Sequence, residues 1–498
     1  MTHTNHTPYL IGIDIGTSSA KTTIIDSHKQ VIIWKDEEYS IDSPRRDWAE
    51  QNPEQWVAAA VHTLRDAVQA SAIDVSRVMG IGLAGQMHGM VCLDAAGNVL
   101  RPAIIWADRR SKSQLEQLQR QIGVERLAEW TGNPIATGFM LPSWVWLAEN
   151  EPEIARKTRY LLLPKDYLRY RLTGAIGAEP SDASSTLLFD PHKRRWCQPL
   201  LDEIGLSIDQ LPPLGESAGI AGGLLPEFAY ACGLPSGIPV VYGGSDVACQ
   251  ALGQGIIHPG TVSCTIGTGG QLFAPISKPV HDPELRLHLF CHVIPDHWHL
   301  EGAILSAGLS LRWLRDHFWQ GESYDSLANA AQQVEAAAQG IFFLPYLAGE
   351  RTPIMDPTAR AAFVGLSYEH GRAHIVRAVM EGVVFALRQG LDLMRSLDVP
   401  IDRLVATGGS IRHPLWLQLQ ADIFNIPVTP ADTPQATGLG AALLAGTGVG
   451  IYKNTREVIQ QDSLLASDAI LPDPRNAEQY ETAYQTYCKL YPALKSIR

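Results

Sequence analysis

No stretch of eighteen apolar residues runs through this chain, and no charged-then-apolar leader opens it. Neither a membrane span nor secretion is therefore expected, and the cytoplasm is the expected compartment. Basic clusters are scarce as well. Forty lysines and arginines face 52 aspartates and glutamates, a formal net charge of −12. The densest basic spot, His192-Lys193-Arg194-Arg195, reads as a solvated turn, so no nucleic-acid surface is expected. The seven cysteines are odd in number and scattered through apolar surroundings, which fits reduced core thiols and no disulfide framework.

Several familiar motifs fail on inspection. No G-x-x-x-x-G-K-[ST] occurs, which excludes a P-loop. Gly80 to Gly85 fits G-x-G-x-x-G, but a loop and a strand follow where a dinucleotide site needs a helix. Gly215-Glu216-Ser217-Ala218-Gly219 fits the serine-nucleophile pattern, yet Pro212-Pro213 stands where a buried strand is required, so a surface turn is expected. His281, His288, Cys291, His292, His297 and His299 lack the paired spacing of a zinc site and read as edge-strand and loop residues.

What the chain does contain is apolar substance and strand-turn punctuation. With 498 residues, 45% of them apolar and 18% charged, it can fill at least two cores. The central stretch is Pro239 to Phe273. Pro239 to Tyr242 reads as a buried strand ending in Gly243-Gly244-Ser245-Asp246, and a helical start follows. Thr261 to Ile266 is a second strand, stopped by Gly267-Thr268-Gly269-Gly270 and resumed at Gln271. A glycine hairpin turns successive N–H groups toward an anion, and a nearby carboxylate can take a proton from a nucleophile, so the pair points to phosphoryl transfer. An ordinary helix cap beside an ordinary turn would look the same.

The amino-terminal segment repeats the pattern: strand Tyr9 to Ile15, polar turn Gly16-Thr17-Ser18-Ser19, returning strand Ala20 to Ile25, then Gln30 to Trp34. Two such hairpins, one opening each half, point to duplication. Asn52-Pro53 starts a helix whose buried face is Val57, Val61, Leu64 and Val68. Ile104 to Arg109 reads as a strand end carrying the charged pair Asp108-Arg109. From His374 the stripe Ile375, Val379, Val383, Leu387, Leu391 predicts an amphipathic helix, with Arg377, Glu381, Arg388 and Asp392 off the stripe. Leu404 to Ser410 is again strand into glycine turn. Strand, glycine turn and helix in repetition give an α/β class, with the best boundary near Gly253 to Pro259.

Two phosphate hairpins and a third glycine turn, Gly408-Gly409, resemble the actin/hexokinase/Hsp70 ATPase fold. That fold comprises two ribonuclease-H-like domains with an interdomain cleft. Within it the chain resembles the FGGY carbohydrate kinases over about Tyr9 to Leu494. The resemblance rests on Gly12-Ile13-Asp14-Ile15-Gly16-Thr17, on Ala361 to Leu366 followed by His374 to Glu381, and on Gly85-Gln86-Met87-His88-Gly89. Leu163 to Leu168 and Leu344 to Pro353 add to it. It implies an amino-terminal domain over 1–254 that binds sugar and a carboxy-terminal domain over 255–498 that binds nucleotide and ends in a helical segment. It also implies Asp246 as general base, Met87 and His88 as sugar contacts, and Asp14 near Mg²⁺ through water. Gly16, Thr17, Gly267, Thr268, Gly408 and Gly409 would then line the ATP site. The implied reaction is phosphorylation of a ketopentose, D-xylulose first among candidates, and the family pattern allows a homodimer.

The sequence departs from the family pattern in four places. Ser143 stands where a lysine is usual, Val247 where an asparagine is common, Gly269 for a serine, and Ser410 for a third glycine. Val247 leaves another ketose, a polyol or a sugar acid open as acceptor, because a lost hydrogen bond to a substrate hydroxyl alters discrimination. A non-catalytic, ATP-switched protein of the same fold is the alternative from another class.

Overall fold

The computed structural model describes residues 7–431, 433, 435–456, 469–495 and 497. The chain divides into two compact units. One is Met1–Ile257 with Leu289–Trp298 and Thr433–Gln460; the other is His258–His288 with His299–Asp432 and Gln461–Arg498.

In the first unit, Tyr9–Ile15 pairs antiparallel with Ser19–Asp26, which pairs antiparallel with Val31–Glu38. On its other flank Tyr9–Ile15 runs parallel to Val78–Gly85, and Pro239–Val241 runs parallel beyond that. Alternation along the first strand sends Ile11, Ile13 and Ile15 into a core with Trp56 and Leu64 of the helix Pro53–Ser71. Leu10 points the other way, toward Ala248 and Leu252 of the helix Asp246–Gly253 and Leu444 of the helix Ala436–Gly448. With helices on both faces the strand has no solvated side, which is why it reads as a continuous apolar run. Asn52 caps its helix as expected, its side-chain oxygen accepting the Glu54 N–H at 3.1 Å.

The helix Ala436–Gly448 reaches this sheet from far along the sequence and lies against its backbone. A Cβ on Gly12 would fall 1.8 Å from the Gly438 carbonyl oxygen, and one on Gly82 1.8 Å from that of Ala441. Glycine is needed here because no side chain fits between helix and strand.

The second unit repeats the strand order. Gly260–Ile266 pairs antiparallel with Gly270–Ile276, whose other neighbour is Trp298–Ile304. Gly260–Ile266 also runs parallel to Ile401–Gly408, which is parallel to Val428–Pro430. Two sheets of one order agree with the expected pair of ribonuclease-H-like α/β folds.

Four local expectations need correction. The helix Arg372–Ser396 buries Val379, Val383, Leu387 and Leu391 of its stripe, with Ile375 half-buried, but Arg377 and Glu381, placed off it, are buried too. The cause is a second helix, Pro474–Lys495, on that side. Arg377 donates to Glu381 at 2.6 Å and to the Tyr480 hydroxyl at 2.7 Å, and Tyr480 donates to Glu381 at 2.6 Å. Ser217 is not on a surface turn: it is buried and donates to Glu179 Oε2 at 2.7 Å. The partner of Asp108 is Arg110 rather than Arg109, at 2.8 Å, and Arg110 lies 3.6 Å from the Trp48 ring centroid. His299 sits inside the strand Trp298–Ile304, buried, 2.9 Å from Glu301. Among the described residues, no helix is long and apolar enough to cross a membrane.

Candidate active site

Register decides which loops of the first unit meet. Asp14 lies opposite Ala84 and Ile15 opposite Gly85; on the far flank of the same strand, Gly244 lies opposite Ala84 and Ser245 opposite Gly85. Three parallel strands therefore end side by side, and Gly16-Thr17, Gln86-Met87-His88 and Asp246 leave the sheet at one edge. Open α/β sheets bind ligands at this edge, outside the carboxyl ends of the strands.

Asp246 opens the helix Asp246–Gly253, but the N-cap is Ser245, whose hydroxyl accepts the Ala248 N–H at 3.4 Å. The half-buried Asp246 carboxylate accepts the Val247 N–H at 2.8 Å. His88 has φ of +72°, and the Gly89 N–H donates to the Met87 carbonyl at 2.9 Å, so the loop turns sharply at the histidine. The His88 ring stacks on Phe139 at 3.8 Å between centroids, with Phe290 at 6.0 Å. Its Nδ1 is 2.8 Å from the Ser185 carbonyl oxygen. Met87 is buried, 5% exposed, so of the two predicted sugar residues His88 is the more open.

The turn Gly16-Thr17 is braced from three directions. Tyr39 donates to the Gly16 carbonyl at 2.6 Å, Gln51 to the Thr17 carbonyl at 2.8 Å, and the Trp106 indole to the Thr17 hydroxyl at 2.8 Å. Asp14 is buried, and its Oδ1 has no hydrogen-bond partner among the described residues. Burial pushes its carboxyl up to about 6, against the pull of Lys21. An unsatisfied buried carboxylate at a strand end fits a hard divalent cation that takes one protein carboxylate and keeps most of its waters.

A buried charge cluster in the same unit was missed in the sequence. Lys165, Asp166, Arg169, Glu179 and Asp182 are each fully buried. Lys165 Nζ donates to Asp166 at 2.7 Å and to the Tyr242 carbonyl at 3.3 Å, and it lies 3.6 Å from Asp182 and 3.7 Å from Glu179. Arg169 donates to Asp166 at 2.8 Å and to the Tyr242 carbonyl at 3.2 Å. Burial works against the Lys165 charge, but the surrounding carboxylates outweigh it and hold its pKa above the ordinary value. Asp182 is driven well upward by burial first, then by Asp166, Glu179 and Asp246, against Lys165. The negative charge of Asp246 is thus felt inside the cluster.

In the second unit, Ile266 lies opposite Gly408 on parallel strands, so the turns Gly267-Thr268 and Gly408-Gly409 leave that sheet together. The Ala307 and Leu309 N–H groups both donate to the Thr268 carbonyl at 3.0 Å. A cavity of about 620 Å³ opens beside these turns, lined by Gly267, Thr268, Gly409 and Ser410 with Arg312, Tyr324 and Trp416 among others. Gly408 is not part of that lining; its φ of +78° makes the bend that delivers Gly409. Polar turns beside aromatic and guanidinium groups suit a phosphate tail and a flat base.

The departures have local explanations in two cases. A Cβ on Gly269 would lie 2.8 Å from the Ile304 carbonyl oxygen, so glycine suits the backbone there. Ser410 is buried and donates to the Thr407 carbonyl at 3.2 Å. Ser143 is buried, with no hydrogen-bond partner for its hydroxyl among the described residues. Val247 is half-buried, and nothing in the structure explains its choice over asparagine.

Comparison with known proteins agrees with this geometry. The profile of the FGGY family of carbohydrate kinases matches residues 9–253 with its N-terminal domain and 262–449 with its C-terminal domain. The chain is 37% identical over 489 residues to the xylulose kinase of Bacillus subtilis, covering 98% of each chain. It is 31% identical over 502 residues to the gluconokinase of the same organism, covering 98% of this chain and 97% of the other. Among solved structures, the xyloylose kinase of Brucella ovis superposes with a TM-score of 0.92 at 36% identity, over 98% of this chain and all of the other. A ligand-bound xylulose kinase from Lactobacillus acidophilus gives 0.93 at 26% identity, over 98% of each.

Proposed function

This chain belongs to the FGGY family of carbohydrate kinases, and from that premise we propose that it transfers the γ-phosphate of ATP to the 5-hydroxyl of D-xylulose. The observation that carries the reading is the shared strand edge of Asp246 and His88, with the buried Lys165 cluster in contact through Tyr242. Asp246 accepts the proton of the attacking hydroxyl, an effect worth roughly 10²–10⁴ in rate. His88 binds the sugar, with Met87 shaping the loop from within. Residues 1–254 hold the sugar and the first phosphate turn. Residues 255–498 hold the nucleotide, with the Thr268 N–H donating to a phosphate oxygen while the Gly269 carbonyl holds the Gly267 N–H and tightens the turn. Mg²⁺, held by Asp14 through water, would neutralise charge on the β- and γ-phosphates when bound. Seven unpaired cysteines support a reducing compartment, the cytoplasm.

A second acceptor, gluconate, is favoured by the gluconokinase relative, and Val247 leaves a sugar acid open. A coupled ADP-release assay over D-xylulose, D-ribulose, gluconate and glycerol separates the two. D-xylulose is expected to give the highest kcat/KM; a preference for gluconate would replace the proposal. In the same assay Asp246→Ala should abolish sugar-dependent ADP release while ATP still binds, and near-normal turnover would remove Asp246 as the base.

A further inference from the structure

Three serines on one turn of chain each hold a different wall of the sugar site. The helix Pro180–Ala183 and the 3₁₀ turn Ser184–Thr186 carry Ser181, Ser184 and Ser185, all of them 0–1% exposed. Each spends its hydroxyl proton locally. Ser181 donates to Glu179 Oε1 at 2.8 Å, Ser184 to the Ser181 carbonyl at 3.0 Å, and Ser185 to the Asp182 carbonyl at 2.7 Å. The oxygen lone pairs are then available to outside donors, and each oxygen takes one. Ser181 accepts the N–H of Ser245, the residue before Asp246, at 2.9 Å. Ser184 accepts the N–H of Cys291, next to Phe290, at 3.0 Å. Ser185 accepts the N–H of His88 at 3.3 Å.

The Ser185 carbonyl adds a second constraint. A carbonyl oxygen only accepts, so the 2.8 Å contact puts a proton on His88 Nδ1.

We propose that Ser181, Ser184 and Ser185 are positioning residues that fix the Asp246 strand end, the Phe290 wall and the His88 ring in one register. The inference rests on the sugar-kinase reading above and concerns residues that would not touch the substrate. It predicts different kinetic signatures for different serines. Ser185→Ala loosens His88 and should raise the KM for sugar roughly five- to tenfold with kcat little changed. Ser181→Ala loosens the base and should lower kcat by a similar factor with sugar KM little changed. The KM for ATP should move in neither. In a double-mutant cycle, Ser185→Ala should add little once His88→Ala is present, because its effect passes through that ring.

Thermal melts of the variants run alongside the kinetics. The ¹⁵N spectrum of the wild-type His88 ring gives a measure independent of any variant's folding. Nδ1 protonation is expected; a ring without a proton on Nδ1 would overturn the hold of Ser185 on His88. Equal losses of kcat and KM in both serine variants, or full additivity with His88→Ala, would overturn the positioning roles. A wild-type enzyme with no sugar-dependent turnover would instead defeat the sugar-kinase reading itself.

Discussion

Replacing Asp14 with asparagine should make the ligand-free protein more stable as pH rises, while removing its activity. Burial lifts the Asp14 carboxyl from 3.8 to about 6. A carboxyl raised in the folded state contributes stability below its unfolded value, and that contribution is lost as pH climbs through about 6. At about 1.36 kcal/mol per pH unit, the gap makes Asp14 cost about 3 kcal/mol at pH 8, where it is ionised in both states, against about 1 kcal/mol at pH 4.5, where only the unfolded carboxyl has largely lost its proton. The asparagine variant should therefore gain about 2 kcal/mol on wild type between those two pH values. Consequences of the exchange that do not depend on pH, such as the hydrogen bonding of the new amide, cancel in this comparison. Denaturant unfolding followed by tryptophan fluorescence at pH 4.5, 6 and 8 measures the difference, the chain having 12 tryptophans to report it. Adding Mg²⁺ at pH 8 should stabilise wild type and leave the variant unmoved. A stability difference that stays constant across the pH range, or that shrinks toward pH 8, would refute the reasoning.

Gly82→Ala should cost at least about 3 kcal/mol by overpacking, because its methyl would lie 1.8 Å from a backbone oxygen of the helix Ala436–Gly448. Soluble yield and melting temperature check this, with Gly371→Ala, which has nothing within 4 Å, as the tolerated control. Arg377→Met should destabilise by about 3–5 kcal/mol, since it leaves Glu381 buried without its cation. The pair Arg377→Met with Glu381→Leu should recover much of that loss in the same unfolding measurement.

The strand ends of both units were legible because apolar runs stopping at Gly16, Gly267 and Gly408 have few other readings. Register then followed from topology, and it brings the turns of each unit together. The buried charges were not legible. Nothing beside Lys165, Ser181 or Ser184 in the sequence announces their burial, because their partners lie tens of residues away in Tyr242, Ser245 and Cys291. Arg377 and Glu381 misled for a related reason. Helical periodicity shows which side of a helix is apolar, but a neighbour such as Pro474–Lys495 can bury the other side by supplying Tyr480 as a polar partner. Ser217 fell to the same blindness: a serine in a Pro- and Gly-rich stretch reads as exposed until Glu179 is seen to accept from it.

The helix Ala436–Gly448 also bears on how the protein is made. During synthesis the Gly12–Gly82 side of the first sheet lacks this helix until the ribosome has passed Gly448, with only the short helix Asp246–Gly253 against it after its own strands have emerged. The nascent chain must carry that apolar face through translation of nearly the whole second unit, the period in which a holding chaperone would matter most. A fragment ending at Ile257 keeps the helix Asp246–Gly253 but leaves the rest of the face without its cover and should precipitate; supplying the missing helix as a separate peptide should keep it in solution.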